Sequence, residues 1–121
     1  MSMILVVDDT RHFVADKPGD IVVHVEHSWD AVAALRSSFF DHVWLDYDLH
    51  GDDKGSNVAR FVRDNVDGIN YNFTAFHIHS FNPAGRTAMK QILKDGGIVA
   101  NMESLENFVN IKRQTSFGET E

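Results

Sequence analysis

Two short hydrophobic runs stop abruptly at carboxylates. Ile4-Leu5-Val6-Val7 ends in Asp8 and Asp9, and His42-Val43-Trp44-Leu45 ends in Asp46, with Asp48 two residues on. Carboxylates held close together repel, and burial makes the repulsion costly unless a cation neutralises it. A hard divalent cation with oxygen ligands does this. Two or three converging carboxylates leave positions for water, which suits Mg²⁺ (or Mn²⁺) better than Ca²⁺. Asp8, Asp9, Asp46 and Asp48 are therefore candidate metal ligands. A third segment with chemical potential is His77-Ile78-His79-Ser80-Phe81-Asn82-Pro83-Ala84-Gly85. Beside metal-bound carboxylates, His79 is a candidate general acid or base, or a donor to a phosphate oxygen. In a strand, His77 and His79 share one face, and Ile78 and Ser80 the other. Either His79 or Ser80 can then face the pocket, while His77, deeper in the strand, reads as a core histidine. His-x-His spacing with no evident third nitrogen ligand is a weak zinc signal.

The elements that must position these groups follow from hydrophobic pattern. Ile4 to Val7, Ile21 to Val25, His42 to Leu45, Phe73 to His79 and Ile98 to Ala100 read as five strands, most of them buried on both faces. Helices are predicted from a Ser28 cap to about Ser38, with Val32, Leu35 and Phe39 on one side. Others run from a Ser56 cap through Val58, Phe61, Val62 and Val66, from Pro83 to about Lys94, and from Glu103 to Lys112. Strands alternating with helices predict an α/β fold with a doubly wound, five-stranded parallel sheet of order 2-1-3-4-5, helices lying on both faces. The segment between the first two strands, with Pro18-Gly19 inside it, is so short that its crossover helix must be very short or replaced by a loop. Residues 1–113 form one domain, and residues 114–121 are a polar tail.

Composition narrows the function classes. Eleven Lys and Arg against 18 Asp and Glu give a net charge of −7, which argues against duplex-DNA binding. The absence of cysteine excludes disulfides, thiolate zinc sites and a Cys nucleophile. The short N-terminal apolar run, broken by Asp8, is neither a signal peptide nor a membrane span, so a cytoplasmic protein is expected. The two Trp and nine Phe are core by default, except that Phe81 is a candidate base-stacking group. Arg11 and His12 are placed to reach an anion in the pocket, or to sit in a solvated loop.

Ile4 to Asp9, followed by Asp41-His42-Val43-Trp44-Leu45-Asp46-Tyr47-Asp48-Leu49-His50-Gly51, resembles a response-regulator receiver domain. The resemblance implies that Asp46 matches the phosphoacceptor and that Asp9, helped by Asp8 and the backbone carbonyl of Asp48, holds the metal. It also implies that Ser80 contacts a phosphoryl group. Receivers carry a Lys at the end of the fifth strand, whereas Gly97-Ile98-Val99-Ala100-Asn101-Met102 has none. Lys54 is a candidate substitute. Without that cation, ordinary phosphorelay signalling is poorly supported.

His79-Ser80-Phe81-Asn82-Pro83-Ala84-Gly85 together with the two acidic motifs resembles a receiver offshoot, the cyclic-phosphate processing receiver domains of bacteria and phages. That resemblance implies hydrolysis or transfer of a cyclic phosphate on a small molecule such as a nucleotide or at an RNA end, here read as a metal-dependent phosphoesterase. Asp46 and His79 would be catalytic, and Ser80 and Asn82 would orient phosphate oxygens. Asp46 is alternatively a nucleophile. The competing readings are an atypical phosphoacceptor and a non-enzymatic receiver module that binds a protein partner, with Glu103 to Lys112 as a candidate surface.

Overall fold

The computed structural model describes residues 1–102 and 110–114. Its main sheet is parallel. It contains β1 (Met3–Val7), β3 (Ile21–Val25), β4 (His42–Leu45), β5 (Ala75–Ile78) and β6 (Asn101–Met102), in the order β3-β1-β4-β5-β6. Numbered by parallel strands alone, this is the predicted 2-1-3-4-5 order. Three helices connect them: α1 (Ser28–Ser37), α2 (Ser56–Asp64) and α3 (Pro83–Asp95). A two-stranded antiparallel ribbon pairs β2 (Phe13–Ala15) with β7 (Ile111–Arg113).

The register fixes the site. Val7 lies opposite Leu45, and Leu45 opposite Ile78. The next residues, Asp8, Asp46 and His79, therefore leave three neighbouring strands at one level. Backbone bonds hold that level: Asp8 N donates to Val25 O at 3.1 Å, Asp46 N to Val7 O at 3.0 Å, and His79 N to Leu45 O at 2.9 Å.

Strand alternation divides the core in two. Leu5, Val7, Val43, Leu45, Phe76 and Ile78 face α1, α2 and α3 through Ala31, Leu35, Val58, Val62, Met89 and Leu93. On the other face Ile4, Val6 and Trp44 pack against Phe13 of β2 and Ile111 of β7. Among the described residues, then, the helices gather on one face, and a ribbon covers the face where helices are also predicted. The first crossover is indeed without a helix, as its length requires, and β2 occupies it.

Other differences from the sequence pattern have local causes. The fifth parallel strand is Asn101–Met102 rather than Ile98 to Ala100, because the turn at Gly96 and Gly97 (φ +85° at Gly97) leads Ile98 into the core before pairing begins. The predicted Glu103 to Lys112 helix falls largely outside the described residues, but Ile111 and Lys112 at its end are strand. Most of the predicted tail, residues 115–121, also lies outside them. Ser28 and Ser56 are first helical residues, preceded by His27 and Gly55. The start of α1 is satisfied from a distance: Ser28 donates its N–H and its hydroxyl to the Asp53 carboxylate, both at 2.6 Å. α1 ends at Ser37, which takes Phe39 out of helical phase. Phe39 is exposed and Phe40 is buried in its place. Trp29, Phe73 and Phe81 are also exposed, while Trp44 is fully buried.

Candidate functional site

Asp8 is completely buried at the end of β1. One oxygen accepts the backbone N–H groups of Thr10 and Arg11, both at 2.9 Å. The other meets Arg11 Nη2 at 2.9 Å and His79 Nε2 at 3.1 Å. Burial pushes this carboxyl upward, but the His79 bond, the two backbone donors and the Arg11 charge outweigh it and hold Asp8 at about 2. Asp8 is thus a fixed anion. His79 has no solvent exposure, and burial lowers its pKa against the pull of Asp8. The imidazole is therefore neutral, with its Nε2–H donated to Asp8.

Asp46, at the end of β4, behaves in the opposite way. Burial and the charge of Asp8 raise it to about 6, opposed by Arg11, the Tyr47 N–H and Ser80. Tyr47 N donates to Asp46 Oδ1 at 2.8 Å, and Arg11 Nη2 lies 3.3 Å from Oδ2. Without a bound cation the two neighbouring carboxyls thus differ: Asp8 is locked ionised, whereas Asp46 holds its proton more tightly than a free carboxyl does. The Arg11 guanidinium bridges both, is itself buried, and also points Nη2 toward the His79 carbonyl at 3.5 Å. Of the two alternatives for Arg11, the structure selects the pocket.

Above these groups lies a cavity of about 440 Å³ lined by Asp9, Thr10, Arg11, Asp46, Asp48, Ser80, Phe81 and Arg113. Asp8, Asp9 and Asp46 each offer an oxygen, all within 4.8 Å of one another. This donor set of three carboxylates fits a hard cation with oxygen ligands. Asp48 stands apart on the rim, where its carboxylate pairs with Lys54 at 2.9 Å. Lys54 is thereby engaged on the rim and is not among the residues that line the cavity. Two guanidinium groups line the cavity instead, Arg11 from the loop after β1 and Arg113 from β7.

Of the two residues that follow β5, Ser80 faces the cavity and His79 lies behind Asp8, outside its lining. His79 reaches a bound molecule only through Asp8. His77 is buried against Trp44 with ring centroids 4.3 Å apart, and its Nε2 lies 3.0 Å from His42 Nδ1. Burial lowers it to about 4, which fits a core histidine. Asn82 is the N-cap of α3: its Oδ1 accepts from Gly85 N at 2.9 Å. Its amide reaches Asp48 Oδ2 at 3.5 Å rather than the cavity. Gly85 is required because a Cβ there would overlap the Tyr47 ring, and Gly55 because a Cβ would overlap the Asp46 carbonyl oxygen. The Asn-Pro-x-Gly part of the motif therefore starts a helix that packs Tyr47, the residue after Asp46. Sequence pattern could not identify Arg113, since it reaches the cavity only through the β2–β7 pairing.

Comparison with known proteins agrees with this fold. The family model described as cyclic-phosphate processing receiver domain matches residues 3–95. Among solved structures, a Francisella response-regulator receiver domain is 17% identical, covering 88% of this chain and 85% of its own, with a TM-score of 0.57. The Thermotoga maritima response regulator TrrA, solved in complex with Mg²⁺-BeF, is 18% identical over 87% of this chain and 89% of its own (TM-score 0.59). The receiver domain of a Pseudomonas aeruginosa sensor histidine kinase, with magnesium coordinated in its active-site cleft, is 17% identical over 88% and 87% (TM-score 0.62). At these identities the structures establish the fold alone. No curated protein matches the chain. Among the described residues no helix is long and apolar enough to cross a membrane.

Proposed function

The chain belongs to the cyclic-phosphate processing receiver domain family, and on that premise we propose that it is a Mg²⁺-dependent (or Mn²⁺-dependent) phosphoesterase acting on a cyclic phosphate of a nucleotide or RNA end. The observation that carries the proposal is the convergence of Asp8, Asp9 and Asp46 oxygens within 4.8 Å of one another, beside one cavity that Arg11, Arg113 and Ser80 also line. Asp8, Asp9 and Asp46 would hold the cation, which would polarise a phosphate oxygen and offset its developing charge. Asp46, ionised once the cation is bound, holds the metal or serves as nucleophile. Arg11 and Arg113 bind phosphate oxygens, and the Ser80 hydroxyl donates to one. Exposed Phe81, 5.5 Å from the Arg11 guanidinium, offers a face for a base. His79 fixes the orientation and charge of Asp8, so its role is positioning. Asn82 orders the loop through the α3 cap. We place this activity in the cytoplasm.

A 2′,3′-cyclic nucleotide incubated with the protein and Mg²⁺ is expected to open to a phosphomonoester, followed by phosphorus NMR. Turnover is expected to vanish with chelator, with Asp9→Asn and with Asp46→Asn. Absence of metal-dependent opening in the unaltered protein, or equal rates in Asp46→Asn, refutes the assignment. The second reading, an atypical phosphoacceptor module that signals through a protein partner, is favoured by the placement of Asp46 directly after β4, and labelling of Asp46 by acetyl phosphate would support it.

A further inference from the structure

A second group of metal-ligating side chains lies beside edge strand β3, outside the acidic pocket. His24 is on β3 and Glu26 is just beyond it, two residues apart and hence on one face. That face is the one over which β2 lies, as Val22, next in the alternation, packs with Ile4 and Val6. β2 brings His12, the residue immediately before it, onto the same patch. The His12 and His24 rings are 4.8 Å apart between centroids. His12, His24 and Glu26 each offer a ligand atom, all within 4.8 Å of one another. Nε2 of His24 is shielded from solvent and has no hydrogen-bond partner among the described residues. A buried imidazole nitrogen left in that state is costly unless something binds it. His50 adds a fourth group: its Nε2 lies 2.8 Å from Glu26 Oε1 and its Nδ1 3.7 Å from Asp9 Oδ2.

We propose that His12, His24 and Glu26 form a transition-metal site, selective for Zn²⁺ and similar divalent ions over Mg²⁺, with His50 holding the Glu26 carboxylate. Two imidazoles and one carboxylate are a donor set for zinc and leave a fourth position open, whereas Mg²⁺ takes oxygen ligands. Zinc bonds of about 2.0–2.1 Å place tetrahedral ligands roughly 3.4 Å apart. Rotation of His12, which is exposed, closes the remaining gap. The site is independent of the phosphoesterase assignment, although His50 connects the two by touching Glu26 on one side and Asp9 on the other.

Cobalt spectroscopy of the full chain tests this. One equivalent of Co²⁺ is expected to give the visible bands of a tetrahedral nitrogen–oxygen site, which Zn²⁺ abolishes and excess Mg²⁺ does not. His12→Ala and His24→Gln should remove the bands, and His50→Gln should weaken binding about 10–100-fold. Asp46→Asn should leave them intact. His12 is at the surface, so His12→Ala keeps the fold, verified by circular dichroism. Bands that persist in His12→Ala and His24→Gln, bands lost in Asp46→Asn alone, or displacement by Mg²⁺ would each overturn the proposal. Loss of cyclic-phosphate turnover without loss of the cobalt bands would count against the phosphoesterase only.

Discussion

Replacing Asp46 with Asn should make the protein more stable while removing the chemistry assigned to it. The carboxyl of Asp46 is raised from 3.8 to about 6, so the folded state holds its proton more tightly than the unfolded chain does. By linkage the penalty is absent below pH 3.8, grows between 3.8 and about 6, and is complete above that. A shift of about two units corresponds to about 3 kcal/mol. Asparagine can still accept the Tyr47 N–H, but its NH₂ group finds no acceptor on Arg11, which reduces the net gain to about 2 kcal/mol. With an unfolding entropy of roughly 2.1 cal/mol/K per residue, that is a rise of about 8 °C in Tm at pH 7.5. Thermal and urea unfolding in chelator from pH 4 to pH 8 measures it. The difference between variant and parent should shrink toward zero at pH 4, where Asp46 is already protonated. Adding Mg²⁺ at pH 7.5 should stabilise the parent more than the variant and narrow the gap. No gain at pH 7.5, or an equal gain at pH 4, would show that the charge on Asp46 is not under strain.

Substitutions at three other positions probe the surroundings of Asp46. His79→Ala should cost about 2–4 kcal/mol in urea unfolding, from lost packing and an orphaned Asp8. Because Asp8 is depressed from 3.8 to about 2, its stabilisation is complete above pH 3.8 and lost as pH falls through 2. His79→Ala should therefore move acid unfolding to higher pH, and His79→Gln should partly restore it. Arg11→Gln should destabilise by about 3–5 kcal/mol without metal, since it leaves two buried carboxylates uncompensated, and should enlarge the Tm increase produced by Mg²⁺. Gly85→Ala should lower Tm even though alanine favours a helix by about 1 kcal/mol, because the added Cβ meets the Tyr47 ring. An unchanged or higher Tm would remove the packing reason for that glycine.

The strands that carry the acids were legible in the sequence because strands buried on both faces need unbroken apolar runs, and β1 and β4 are such runs. Their parallel pairing then follows from topology and brings Asp8 and Asp46 together. β2, β6 and β7 were not legible. Asn101 and Met102 are both exposed, and β2 and β7 each bury only their Phe13 and Ile111 ends, so neither pattern distinguishes a strand from a loop. What makes Phe13 to Ala15 and Ile111 to Arg113 strands is each other, across nearly the whole chain. The same limit applies to the site. Strand alternation left either His79 or Ser80 to face the pocket, and the receiver resemblance singled out Ser80. Arg11 remained ambiguous because nothing local shows that a loop arginine turns inward between two carboxylates. Asn82 belongs to a distinctive motif, but its side chain is occupied in capping α3.

The β2–β7 ribbon also constrains the order of folding. The pairs of the main sheet join segments that a crossover or two separates, whereas in the ribbon Ala15 must find Ile111. Closing so long a loop is entropically expensive, and contacts of that separation form late. Until they form, Trp44, Ile4 and Val6 lack their ribbon cover, and Arg113 is missing from the cavity. The half of the molecule that holds the carboxylates can therefore assemble early, while the pocket gains its second guanidinium only when the last clasp shuts. A nascent or truncated chain that stops at residue 102 would carry the anionic centre without its full cationic rim.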